Sequence, residues 1–440
     1  MTITESLATM NADGSRHWIN PRPSAGKYAS RRRGVAYGLI ALFVTLPFLR
    51  IGGQPVLLFD LARQQLHVAG ATFYSDDVVF LTLLLLSAFI GVFWITAVVG
   101  RAWCGWACPQ TVYLEWVFRP IERALKKRPK ILKYGVYVVL SIALSHVFLG
   151  YFVRIEELAR WITESPAAHP GAFGLVMGVS GLIFFDFAYF REQMCVVICP
   201  YARLQSALLD KKSLVIAYDP KRGEPRAKLK ILGQGDCIDC RACVTTCPTG
   251  IDIRDGLQLE CIACAQCADA CDAIMTKVSR APGLIRYATQ EQIEGTPPRR
   301  GVRPRLIVYP VLLVLFGSAL AFNLGTREEA EVIMLRKSGV PFVVTSDGNV
   351  VNALRIRIRN RAAEDRDYRL TSPDVTLTLS APVVHVPRGG LVTVDAIVEA
   401  PRAAFAAGEP RYSVEITDAA DPTRFSKTKS DRMLGPSRSP

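Results

Sequence analysis

Twelve cysteines are the residues of this chain best able to do chemistry. Eight fall between positions 237 and 271 as two runs of one pattern: Cys237, Cys240, Cys243 and Cys247, followed by Pro248, then Cys261, Cys264, Cys267 and Cys271. Thiolates in the order C-x2-C-x2-C-x3-C hold 4Fe–4S clusters. Three such cysteines wrap a loop around one face of an iron–sulfur cube, and the fourth points to a neighbouring cube. Cluster one is therefore assigned Cys237, Cys240, Cys243 and Cys271, and cluster two Cys261, Cys264, Cys267 and Cys247. The chemistry they imply is one-electron transfer. A structural zinc site shows two C-x2-C pairs separated by a longer loop instead. Asp272 stands where the second run's proline belongs, which alters loop shape and leaves the ligands in place.

The other four cysteines form two C-x3-C-P pairs, Cys104 and Cys108 before Pro109, and Cys195 and Cys199 before Pro200. On a helix, a spacing of four puts both thiols on one face about one turn apart. The proline tends to end or kink the helix there. A single pair reads equally well as small buried residues, since free cysteine packs as a hydrophobe; two copies with the same proline favour function. Three functions are open: a soft-metal site, a third iron–sulfur cluster, or a redox dithiol. Thiolates favour Cu(I) over Cu(II), so a copper ion bound here would accept electrons from low-potential clusters. His146 and Asp186, polar within apolar stretches, are lesser candidates. His146 reads as a packed, hydrogen-bonded residue.

The elements that must position these thiols are apolar. Half of the 440 residues are hydrophobic. Five stretches approach the roughly 20 residues that cross a bilayer: 34–51, 77–99, 132–153, 172–190 and 305–324. The net charge of +14 does not point to nucleic acid, because it is distributed as the positive-inside pattern. Arg31, Arg32 and Arg33 precede the first stretch. Arg119, Arg123, Lys126, Lys127, Arg128 and Lys130 follow the second, and Lys211, Lys212, Lys221, Arg222, Arg226, Lys228 and Lys230 the fourth. This places the N-terminus, the 100–131 loop and the 191–304 segment in the cytoplasm of a bacterial inner-membrane protein, with the C-terminal region periplasmic. The arginine triplet reads as part of a signal anchor, since no small-residue cleavage site follows it. Cysteines in a reducing cytoplasm are thiolate ligands rather than disulfides.

The chain thus divides into a flexible cytoplasmic tail (1–30), a four-span membrane core (31–190) and a cytoplasmic two-cluster ferredoxin module of α+β type (191–280). A Gly- and Pro-rich linker (281–304), a fifth transmembrane span (305–325) and a periplasmic domain (326–440) follow. In the last, Leu354, Ile356 and Ile358 alternate with arginines; Val375, Leu377 and Leu379 alternate with threonines. Short runs also begin at Leu391 and Tyr412. Period-two runs between turns predict an all-β, immunoglobulin-like sandwich. No phosphate loop or dinucleotide fingerprint appears, which argues against a flavin or nicotinamide site.

Three motifs carry a resemblance. The segments Arg101 to Thr111, Phe190 to Arg203 and Cys247 to Cys261 together resemble the CcoG/FixG/RdxA family of cytochrome c oxidase accessory proteins. The resemblance covers most of the chain. It implies a membrane-bound polyferredoxin that reduces Cu(II) to Cu(I) and assists assembly of a cbb3-type oxidase. The partners implied are oxidase assembly factors and copper-handling proteins, and the C-x3-C-P cysteines are the copper-linked ones. Two other classes compete: a quinol-linked electron conduit to a periplasmic reductase, and a non-redox assembly scaffold. Neither the electron donor nor the oligomeric state is written in the residues.

Overall fold

Among the described residues, four helices are long and apolar enough to cross a bilayer: Val78–Val99, Lys130–Leu149, Pro170–Phe190 and Pro304–Gly325. The first and last bury none of their apolar window against protein, as a lipid-facing helix would. The computed structural model describes residues 13, 15–74, 77–202, 209–228, 235–295, 303–362 and 364–436. Arg203, Lys230, Pro297, Pro298, Arg299 and Arg300 lie outside them. The chain divides into two units, residues 1–320 and 321–440.

The 34–51 stretch is not among the four. Its helix runs Lys27–Thr45, carries Lys27 and three arginines in its first turns, and gives way to a 3-10 turn at Leu46–Phe48 around Pro47. The following loop, unassigned from sequence, is a small antiparallel sheet of Leu57–Asp60, Gln65–Val68 and Ala71–Tyr74. Phe59 N donates to Tyr151 O at 2.7 Å, which pins this sheet to the end of the Lys130–Leu149 helix.

An aromatic cluster joins the membrane helices. Phe118 stacks on Phe187 with ring centroids 4.2 Å apart and meets Tyr137 edge-on at 4.9 Å. The backbone here is irregular: Leu114–Phe118, Asp186–Phe190 and Met194–Ile198 are π-helical. Such one-turn bulges are uncommon and concentrate at functional sites. Two of them lie near the C-x3-C-P pairs in sequence, and the third, Met194–Ile198, contains Cys195.

The ferredoxin module pairs strand Val215–Tyr218 with Ile285–Ala288 and packs helix Gln266–Lys277 over them around Ile216, Leu284, Ile285 and Met275. The expected linker is therefore in part module. Gly283 turns the chain at φ 85°, and Ile285 and Ala288 are buried beyond it. The expected tail is also corrected. Arg22 N donates to Thr245 O at 2.9 Å, Thr246 Oγ1 donates to Arg22 O at 2.7 Å, and Ile19 is buried. Pro21 and Pro23 restrict the flanking residues to extended backbone, which lets residues 15–26 lie along the module as a strap. The strap ends at Asp269, whose carboxylate accepts Tyr28 N at 3.1 Å and Ala29 N at 2.7 Å. Asp269 thereby caps the first turn of the Lys27–Thr45 helix.

The C-terminal unit is the expected sandwich. One sheet runs Thr376–Leu379, Leu391–Pro401, Asn349–Asn360, Ala330–Arg336, and the other Val383–Val386, Arg366–Thr371, Arg411–Asp418, Ser426–Arg432. Leu354, Ile356 and Ile358 point inward from the first, Tyr412, Val414 and Ile416 from the second, into one core.

Candidate functional site

Each run of the eight cysteines curls by the same backbone device. Asp239 and Arg241 in the first run, and Ala263 and Ala265 in the second, have φ of 49°, 55°, 51° and 60°. These are equivalent positions, one immediately before and one immediately after the second cysteine of each run, Cys240 and Cys264. A left-handed conformation costs a residue with a Cβ about 1–2 kcal/mol, and four such residues persist only where the loop must wind round something. A short helix follows each curl, Ala242–Thr245 and Gln266–Lys277. Nothing but the cysteine spacing signals these positions, since none is glycine.

The thiols fall into two groups. Cys271 is within electrostatic reach of Cys237, Cys240 and Cys243, and Cys267 is within reach of Cys264, Cys261 and Cys247, with Cys243 of the first group also in range. Burial pushes the Cys271 and Cys261 thiols up to about 12. Cys240 alone of the eight is exposed. Buried thiols stay protonated until a metal takes the proton's place.

The C-x3-C-P pairs differ from the single-helix expectation. The first helix ends at Trp106, and Cys108 is extended (φ −62°, ψ 126°) before Pro109 starts the next. The second pair lies on a π-turn, with Cys199 again extended before its proline. The proline forbids the helical conformation to the second cysteine. Both turns close identically. Cys108 N donates to Trp103 O at 3.0 Å, and Cys199 N donates to Met194 O at 2.9 Å, each spanning five residues. The four thiols face one another: Cys195 is within electrostatic reach of Cys104, Cys108 and Cys199. Burial pushes Cys195 up to about 12 and Cys104 to about 11, the latter against the pull of Arg101. Asp186 accepts from Gln110 Nε2 at 3.0 Å, and His146 Nδ1 bonds the Ile142 carbonyl of its own helix at 2.8 Å. Both have protein partners.

This thiol group abuts the second cysteine loop. Cys104 packs with Ile262 and Cys264. A Cβ on Gly105 would meet Ile262 O at 2.6 Å and Cys264 Cα at 2.7 Å, so only glycine permits the approach. Trp106 Nε1 donates to Tyr287 Oη at 2.8 Å, which donates to Ala263 O at 2.5 Å. Gln266 Nε2 donates to Glu115 Oε2 at 3.1 Å, and Arg119 donates to Pro248 O at 3.3 Å. Arg119, Glu115, Glu192 and Arg191 form a buried charge network behind these contacts. Sequence reasoning missed Gly105, Arg119 and Glu192; the C-G-W-A-C context of Gly105 was the available signal.

Two features of this chain fit iron–sulfur cubes. The left-handed curls present thiols around a common centre. Two nitrogens of fully buried Arg32 have no hydrogen-bond partner and lie beside the second loop. Among the described residues, no three His, Cys, Asp or Glu side chains stand close enough to hold a single metal ion. A cube, being wider, asks its thiols to stand farther apart.

Comparisons with known proteins agree. Residues 190–290 match the family model described as a 4Fe-4S dicluster domain, residues 81–128 a 4Fe-4S binding domain, and residues 320–436 the IG-like fold at the C-terminal of FixG. The chain is similar to Protein RdxA of Cereibacter sphaeroides, 34% identical over 80% of this chain and 81% of that protein. It is also similar to Nitrogen fixation protein FixG of Rhizobium meliloti, 30% identical over 92% and 90%. Protein RdxB of Cereibacter sphaeroides is 32% identical over 93% of each chain.

Proposed function

The chain belongs to the FixG/RdxA family, and from that premise we propose that it is a membrane-bound cupric reductase serving assembly of a cbb3-type cytochrome c oxidase. In its general character it is an iron–sulfur electron-transfer protein. The finer reading gives Cys237, Cys240, Cys243 and Cys271 to one 4Fe–4S cluster and Cys247, Cys261, Cys264 and Cys267 to a second. Both clusters supply one-electron transfer. Copper is the substrate: Cys104, Cys108, Cys195 and Cys199 bind Cu(II) and, as soft donors, favour its one-electron product Cu(I).

One observation carries the reading. Gly105 lies in van der Waals contact with the backbone between Ile262 and Cys264, so the boundary thiols begin where the second cysteine loop ends. An electron from a low-potential donor reaching exposed Cys240 would cross the module and arrive beside Cys104.

The test is anaerobic. Cys199→Ala should keep the full iron content and cluster spectrum yet reduce Cu(II) at least tenfold more slowly, because one of four soft donors is gone. Copper reduction intact after all four are changed to Ala would sink the copper reading. A second reading has its own support: a 4Fe-4S binding domain matches residues 81–128, which hold Cys104 and Cys108. Iron lost along with Cys199 would establish a third cluster and a conduit in place of a reductase.

The sidedness is proposed from charge, with the module cytoplasmic and the C-terminal unit periplasmic. The Lys27–Thr45 helix as a further span is supported by its ends. Its first turn is held by Asp269 of the module. Phe43 O near its other end accepts Tyr151 Oη at 2.7 Å, close to the sheet at Phe59. A periplasm-active reporter fused after Pro440 should be active, and one fused after Arg280 silent. The reverse result would mean that a span has been miscounted.

A further inference from the structure

Arg32 is 1% exposed, a buried guanidinium on the first helix. Its Nε donates to Gly105 O at 2.8 Å, the residue seated on the second cysteine loop. Its two terminal nitrogens have no hydrogen-bond partner among the described residues, and no carboxylate pairs with it there. The Trp116 ring lies to one side, 5.9 Å from Cζ. An unpaired buried charge costs several kcal/mol, so a cation held this way calls for an anion. Gly105 in turn lies against Cys264, where a Cβ on Gly105 would stand 2.7 Å from Cys264 Cα, and Arg32 is within electrostatic reach of the Cys264 sulfur. Arg101, also buried, stands on the same side and stabilises the thiolates of Cys261 and Cys104.

The other cysteine group is the reverse. A guanidinium beside it, Arg254, is already neutralised by Asp239 and Asp252, each at 2.6 Å. Asp252 and Asp272 face the thiols of Cys243 and Cys271.

We propose that Arg32 is the counter-ion of cluster two and makes it the electron-accepting member of the pair. The inference rests on the two-cluster reading above and adds a direction to it. A guanidinium facing the cluster sulfurs stabilises the more negative, reduced form and raises the potential, since net charge and hydrogen bonds to sulfur are among the protein's controls. One electron then moves downhill, oxidising cluster one and reducing cluster two, to rest beside Cys104.

The experiment is an anaerobic redox titration of the full chain in detergent, followed by electron paramagnetic resonance with no copper present. In Arg32→Gln, one of the two cluster signals should shift to more negative potential while the other stays in place. Arg32→Lys, which keeps the charge with fewer donors, should show a smaller shift of the same sign. Both potentials unchanged, or both moved alike, overturns the proposal. Where Arg32→Gln holds less iron than the parent, Arg32→Lys decides: parental iron with a selective shift supports the counter-ion, and iron lost there as well assigns Arg32 a packing role only. Four iron per parental chain would remove the two-cluster reading itself, and a copper-free potential is blind to whether copper is the substrate.

Discussion

Gly105→Val should lower the rate of electron delivery to the boundary thiols by about 10²-fold, the scale on which a misplacement of about 1 Å acts. The side chain would begin inside atoms that cannot rotate away, with Ile262 O at 2.6 Å, Cys264 Cα at 2.7 Å and Cys264 N at 2.8 Å. Backbone has no alternative rotamer, so either the 261–267 loop or the Cys104 helix must retreat. Gly105→Ala should show most of the effect, because the collision is with Cβ. Gly135→Ala is the control: nothing lies within 4 Å of a Cβ there, and alanine favours a helix by about 1 kcal/mol. Stopped-flow reoxidation of reduced protein by Cu(II) gives the number. A Gly105→Val protein with the parental rate would show that the contact is incidental to electron transfer.

Glu192→Ala should destabilise the membrane unit by about 3 kcal/mol, the low end of the cost of removing one partner of a buried pair, because its guanidinium partners keep other carboxylates. Glu192 is 2% exposed and meets Arg16 at 3.1 Å, Arg119 at 3.3 Å and Arg191 at 3.8 Å. Burial and the neighbouring Arg191 already pull Arg119 down to about 10, and Glu192 opposes them. Without that carboxylate Arg119 is left with Glu115 and Arg191 with Glu122, and Arg16 is left with the carbonyls of Tyr189 and Phe190. Cluster absorbance followed through a thermal ramp measures the loss. Glu192→Gln should recover part of it, as the amide refills the volume without the charge. A melt superimposable on the parent's would mean that the network is solvated in the membrane.

The residues differed in how much they disclosed. The sandwich was legible because alternation is local: Ile356 is buried because Arg355 and Arg357 face out. The cysteine runs were legible because ligand spacing is chemistry written in one dimension. The C-x3-C-P pairs disclosed their kinship but not their shape, since a helix period was assumed where proline imposes an extended residue and an i+5 closure. Residues 15–30 misled through composition, while residues 1–12 of the expected tail lie outside the described residues. Pro21 and Arg22 look like tail, yet their partners at Thr245 and Thr246 are more than 200 positions away, and no local pattern announces so distant a pairing. For the same reason Arg32 read as membrane-flanking charge, when its neighbours are Gly105 and Cys264.

The cap supplied by Asp269 has a meaning in time as well as in space. It lies 241 residues after Tyr28, which at about 5–20 residues per second of synthesis is a delay of roughly 10–50 s. The helix that begins at Lys27 is therefore made with its first turn uncapped. It is closed only when the helix bearing Cys267 and Cys271 has been made.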